Sequence, residues 1–129
     1  MDDSGGHAAP ARILVVDDDP SIRFLCRVNL ELDGYEVAEA NSLETARETL
    51  DEGDVAVVLL DVHLYGERSD ALLVECHAMR PPVPVIIVTG SADVGQERLG
   101  EADAVLPKPF ELGELLSTVS RLAGEHAHR

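Results

Sequence analysis

Lys108 is the only lysine in the chain and stands between two prolines in Leu106-Pro107-Lys108-Pro109-Phe110, whereas the other nine basic residues are arginines. An ammonium is a compact point charge, and arginine's wide planar fork does not replace it where space is tight. Its natural partners are carboxylates or a phosphoryl group. Asp17-Asp18-Asp19 lies near the start of the chain, Asp61 follows the longest apolar run, and Thr89 follows another such run. These acids, a hydroxyl and one isolated cation make a candidate site if the fold brings them together.

The elements between them predict how that happens. Ile13-Leu14-Val15-Val16 is a short β-branched run of the kind buried on both faces of a parallel sheet. Asp19-Pro20 offers an N-cap and a first-turn proline, and Ile22, Leu25, Cys26 and Leu30 then repeat at helical spacing until Asp33-Gly34 closes the helix. Tyr35 to Glu39 alternates as a less buried strand, and Leu43, Ala46 and Leu50 mark a second helix. Val55 to Leu60 reads as the central strand, and Leu72, Cys76 and Met79 as a third helix broken by Pro81-Pro82. Val85 to Val88 is a fourth strand, Asp93 to Leu99 a short helix weakened by Gly95, and Ala104 to Leu106 a fifth strand. Leu112, Leu115, Leu116, Val119 and Leu122 give the clearest amphipathic stripe, a final helix.

Five strands alternating with five helices imply an α/β, doubly wound, five-stranded parallel sheet covered on both faces by right-handed crossovers. Sites in such folds lie at the carboxyl ends of the strands. Asp17 and Asp18, Asp61, Thr89 and Lys108 each follow a different strand, so all five converge on one edge. Residues 1–10 are expected to be a disordered leader, 11–124 the domain and 125–129 a flexible tail.

Val16-Asp17-Asp18, Asp61, Thr89-Gly90 and Lys108-Pro109-Phe110, in this order on successive strands, resemble the receiver domain of bacterial two-component response regulators, a flavodoxin-like fold. The resemblance covers residues 12–123 and implies a single-domain regulator. It implies that Asp61 is the phosphoacceptor, attacking the phosphohistidine of a histidine kinase or phosphotransfer protein to form an acyl phosphate. Asp18, Asp61 and the His63 carbonyl would ligate Mg²⁺, with Asp17 acting largely through water. Three carboxylates and one ammonium leave two negative charges, which one such cation cancels. Lys108 would bond the phosphoryl oxygens, Thr89 would turn inward to meet them, and His63 would tune the access of water. The domain would be a phosphoacceptor rather than an enzyme, acting through phosphorylation-dependent protein binding or as a relay intermediate or sink.

Departures from the family pattern fall on the reporting parts. Tyr65 stands where proline is usual, and Arg68-Ser69 where Asp-Gly is usual. Val105 occupies the place of the switch aromatic three residues before the lysine, and the segment from Thr89 to Lys108 is about one helical turn short. Each site residue also has a plainer reading: Asp17 and Asp18 as turn residues, Thr89 as a hydroxyl bonding its own turn. Two acids packed against a third at a buried strand end repel without a cation, which favours the metal. Asp19 is read as the helix cap. Two rival functions stand beside this one. A phosphorylation-independent interaction module would share the fold. A phosphohydrolase of the haloacid dehalogenase type would explain Asp17-Asp18-Asp19-Pro20-Ser21, yet only Glu111, Glu114 and Glu125 follow the lysine to supply its further metal acid.

The chain has 129 residues, 45% of them hydrophobic, and a formal charge of −15. That charge repels nucleic-acid phosphates and anionic lipid, so the expected partners are a kinase or phosphotransfer protein and a downstream protein, with no nucleic acid and no membrane. Nothing in the residues favours a weak homodimer over a monomer. No run reaches the roughly 20 apolar residues of a membrane span, and Met1 to Ala11 lacks a secretory design, so a cytoplasmic location is expected. Cys26 and Cys76 fall on apolar helix faces as buried, reduced thiols.

Overall fold

The computed structural model describes residues 10–64, 67–68, 70–90 and 101–127. Five parallel strands, β1 (Arg12–Val16), β2 (Glu36–Ala40), β3 (Val55–Asp61), β6 (Val85–Thr89) and β7 (Ala104–Pro107), form one sheet in the order β2-β1-β3-β6-β7. Two-residue strands β4 (His63–Leu64) and β5 (Glu67–Arg68) form a separate antiparallel pair. The doubly wound parallel sheet read from the sequence is therefore present. Among the described residues there are four helices: α1 (Pro20–Leu32), α2 (Leu43–Glu52), α3 (Asp70–Ala78) and α4 (Leu112–Ala127). The short helix expected over 93–99 and nearly all of the expected leader lie outside the described residues. Helix α4 continues into the expected tail as far as Ala127.

Alternation along each strand divides the core in two, because successive side chains point to opposite faces. Leu14, Val16, Val58, Leu60 and Ile87 pack with Ala46 and Leu50 of α2 and with Leu72, Leu73 and Cys76 of α3. Ile13, Val15, Val57, Leu59 and Ile86 pack with Cys26 and Leu30 of α1 and with Leu115, Val119 and Leu122 of α4. Every residue of β3 is buried, as its position at the centre of the sheet requires. Both cysteines are free thiols inside these cores.

The helix starts follow local chemistry. Asp19 has extended backbone and its side chain accepts the Ser21 N–H at 2.9 Å, with Pro20 in the first turn. Ser42 caps α2 in the same way through the Thr45 N–H at 3.1 Å. Gly34, at φ +99°, takes the left-handed turn that leads from α1 into β2. No helix among the described residues is long and apolar enough to cross a membrane.

Candidate functional site

Hydrogen bonds just past the strand ends set the site. The Asp17 N–H donates to the Ala40 carbonyl at 3.1 Å, carrying the chain past β1 in register with β2. Asp61 closes β3 opposite Val88, and the Val62 N–H donates to the Val88 carbonyl at 3.2 Å. Thr89 closes β6 opposite Pro107, and the Lys108 N–H donates to the Thr89 carbonyl at 2.8 Å. Four neighbouring strands, β1, β3, β6 and β7, thus stop at one level and hold Asp17, Asp61, Thr89 and Lys108 along one edge.

The carboxylate oxygens of Asp17, Asp18 and Asp61 come within 4.8 Å of one another. Asp17 is 3% exposed and Asp61 8%, while Asp18 is only partly buried. The Lys108 ammonium lies 3.3 Å from Asp17 Oδ2 and 3.7 Å from Asp61 Oδ2. Burial opposes its charge, yet the Asp17 and Asp61 carboxylates outweigh that cost and raise its pKa above the ordinary lysine value. The isolated lysine and three acids separated by 90 residues of sequence are one cluster. Its donors are hard oxygens and its charge is −2 after Lys108 is counted, which suits a small divalent cation such as Mg²⁺.

The two oxygens of Asp17 are already engaged. Oδ1 accepts the Asp19 N–H at 2.9 Å, and Oδ2 faces Lys108. Both contacts favour an Asp17 that acts on a cation through water. Thr89 is 1% exposed, and its hydroxyl donates to the Gly90 carbonyl at 3.1 Å, the local turn bond that the plainer reading foresaw. The His63 backbone lies in β4 paired with Arg68, two residues past Asp61. Its side chain, with the role expected for it, is outside the described residues. Past Asp61 the described residues form a short antiparallel pair, His63 with Arg68 and Leu64 with Glu67, while Tyr65 and Ser69 lie outside the described residues. Val105 sits on the edge strand β7, 42% exposed and away from the acidic cluster.

Sequence reasoning missed Arg23 and Glu39. Arg23 Nη1 donates to the Asp17 carbonyl at 2.7 Å and Nε to Glu39 Oε1 at 3.0 Å, while Arg27 meets Glu39 Oε2 at 3.1 Å. The available signal was parity: Glu39 shares the strand face of Val37, which packs against the α1 side of the core. A carboxylate on that face needs a cation, and Arg23 and Arg27 recur one helical turn apart on α1.

A parallel sheet in this order, with acids, a threonine and a lysine at the carboxyl ends of its strands, defines a class of α/β domains with one polar site at the sheet's edge. The chain belongs to the response regulator receiver domain family, whose profile matches residues 13–120. It is 35% identical over 120 residues, 91% of this chain and 25% of the relative, to the DNA-binding transcriptional regulator NtrC of Bradyrhizobium sp. (strain RP501 Parasponia). It superposes with a TM-score of 0.83 on a response regulator receiver domain protein (CheY-like) of Methanospirillum hungatei JF-1, at 30% identity, covering 92% of this chain and 98% of that one. It also matches the response regulator TrrA of Thermotoga maritima, solved in complex with Mg²⁺-BeF, with a TM-score of 0.78 at 31% identity, covering 86% and 97%.

The chain spans between 25% and 50% of the length of curated relatives it matches. These matches show the receiver, and the single-domain expectation is not tested by them. They overturn the expectation that nucleic acid is no partner, because a relative that contains such a domain as a quarter of its length is a DNA-binding regulator. The physical reason is scope. A charge of −15 describes the surface of these 129 residues and places no limit on what a longer protein binds.

Proposed function

We propose that this domain accepts a phosphoryl group on Asp61 from a phosphohistidine of a histidine kinase or phosphotransfer protein, with Mg²⁺, and that the resulting acyl phosphate is its signal. The observation that supports this most is the grouping of Asp17, Asp18 and Asp61 within 4.8 Å, with the Lys108 ammonium between Asp17 and Asp61.

Asp61 attacks as a carboxylate held at the end of a fully buried strand, so its position is fixed before the donor arrives. Asp18 and Asp61, with the His63 carbonyl, would hold the cation, and Asp17 would act on it through water. Bound Mg²⁺ would offset charge on the transferring phosphoryl group. Lys108 supplies the second positive charge and, once Asp61 is esterified, is released from it to the phosphoryl oxygens. Thr89 exchanges its bond to the Gly90 carbonyl for one to the phosphoryl group, which alters the loop that follows β6. His63 sets how long the acyl phosphate survives. The chemistry is confined to the domain's own phosphorylation and dephosphorylation in the cytoplasm, and it has no diffusible product beyond phosphate.

No observation favours the phosphohydrolase reading. Glu111 and Glu114 are exposed and, among the described residues, only Asp17, Asp18 and Asp61 form such a cluster. Reaction with acetyl phosphate and Mg²⁺, trapping with borohydride and peptide mass mapping tests the assignment. Asp61 should be recovered as homoserine. Conversion at Asp17 or Asp18 instead, or at no aspartate, contradicts it.

A further inference from the structure

Four polar atoms of Asp17 are held, each by a different part of the fold. Its N–H goes to Ala40, its Oδ1 takes the Asp19 N–H, its Oδ2 faces Lys108, and its carbonyl takes Arg23 Nη1 at 2.7 Å. The last contact stands out. The registered ladder between β1 and its neighbours ends at Val16, so the Asp17 carbonyl lies beyond the sheet's own hydrogen bonds. A guanidinium from α1 fills that place instead.

Arg23 is well placed for it. Its side chain is 17% exposed, its Nε is held by Glu39 Oε1 at 3.0 Å, and the other oxygen of Glu39 is held by Arg27 at 3.1 Å. The fork therefore spans from the edge strand β2 to the turn that carries both consecutive acids. The peptide between Asp17 and Asp18 contains the carbonyl that Arg23 grips, so its orientation sets where the Asp18 side chain leaves the backbone.

We propose that Arg23, braced by Glu39, is the positioning residue for the cation site, fixing the Asp17–Asp18 peptide so that both carboxylates face Asp61. The inference rests on the reading of Asp17, Asp18 and Asp61 as a divalent-cation site. Arg23 touches a backbone oxygen and leaves the carboxylate oxygens to the metal and to Lys108. It acts on the metal only through the turn, much as outer groups orient the ligands of other metal centres.

Positioning and simple electrostatics predict opposite signs. Arg23 is a positive charge near a cation site, so removing it by Coulomb's law alone strengthens cation binding. Loss of positioning weakens it. Calorimetric titration of the full chain with MgCl₂, at a temperature where thermal unfolding shows each variant folded, decides between them. Arg23→Gln should weaken Mg²⁺ binding about tenfold. Arg23→Lys keeps the charge but cannot hold the carbonyl and Glu39 with one planar fork, so it should also weaken binding. Arg47→Gln, a charge change on the surface of α2, should bind as the wild type does. Should Arg23→Gln fail to fold, Arg23→Lys carries the same test.

Variants that melt at lower temperature but bind Mg²⁺ as tightly as the wild type, or more tightly, overturn the proposal and leave Arg23 a structural residue. Absence of Mg²⁺ binding by the wild type overturns the cation reading itself, and the proposal with it.

Discussion

Lys108 stands between two carboxylates, and a substitution there separates attraction for the metal from assistance to the phosphoryl group. Lys108→Met removes the positive charge 3.3 Å from Asp17 and 3.7 Å from Asp61, leaving the cluster at −3. Mg²⁺ should then bind more tightly, while the rate of phosphorylation should fall by about a hundredfold, as when a group that stabilises developing charge is deleted. Calorimetry and the initial rate with a small phosphodonor check the two halves. Lys108 was legible in the sequence because its residue type is unique in the chain. The hold of Arg23 on Asp17 was not, because that partner is a backbone carbonyl, which no residue type announces, although its pairing with Glu39 could be read from strand parity. Thr89 was legible only in its place, since its present bond to Gly90 depends on how the following turn closes.

The helices and strands that hold these residues carry separable contributions. Asp19 does not join the acidic cluster; it caps α1 through the Ser21 N–H, and Asp19→Ala should cost about 1 kcal/mol in chemical denaturation. Leu115 of α4 is fully buried among Ile13, Val57 and Leu59, so Leu115→Ala should cost about 2–5 kcal/mol, measured the same way. By contrast the Arg47–Glu75 pair between α2 and α3 is bidentate at 2.8 and 2.7 Å but sits in solvent, which discounts it to about 0.2–1 kcal/mol.

Strands β1, β3 and β6 were legible because β-branched and aliphatic runs this short, bounded by charged residues or by proline and glycine, have few other uses. The last residues of β3, β6 and β7 were not. Asp61, Thr89 and Pro107 belong to the ladder, since register continues one residue past the apolar run. The β4–β5 hairpin was also hidden, because strands of two residues are too short to show any period.

At the scale of the whole molecule, the same burial that shapes the core sets a pH dependence. Burial pushes the Cys26 thiol up to about 11 and the Cys76 thiol up to about 12 from 9.0, and the Asp17 and Asp61 carboxylates raise Lys108 against its desolvation. All three are groups whose protonated form is favoured by folding. The contribution of Cys26 is complete below 9.0 and lost as pH rises toward about 11, that of Cys76 toward about 12, and that of Lys108 only above 10.5, because the unfolded chain ionises first. The melting temperature should therefore fall progressively above pH 9.0 in this range. A melting temperature that rose there would contradict the burial of these groups.

The doubly wound topology followed from alternation alone, whereas the identity of the whole protein's partners did not. Net charge is a property of the surface in view, and relatives that this chain matches carry such a domain within longer regulators.

The central claim is that Asp61 accepts a phosphoryl group with the help of a cation held by Asp17 and Asp18. Intact mass after incubation with acetyl phosphate and Mg²⁺, beside Asp61→Ala and an EDTA control, tests it most directly. The account predicts a gain of roughly 80 Da in the wild type that is missing from both controls. An equal gain in Asp61→Ala, or in the presence of EDTA, would contradict it.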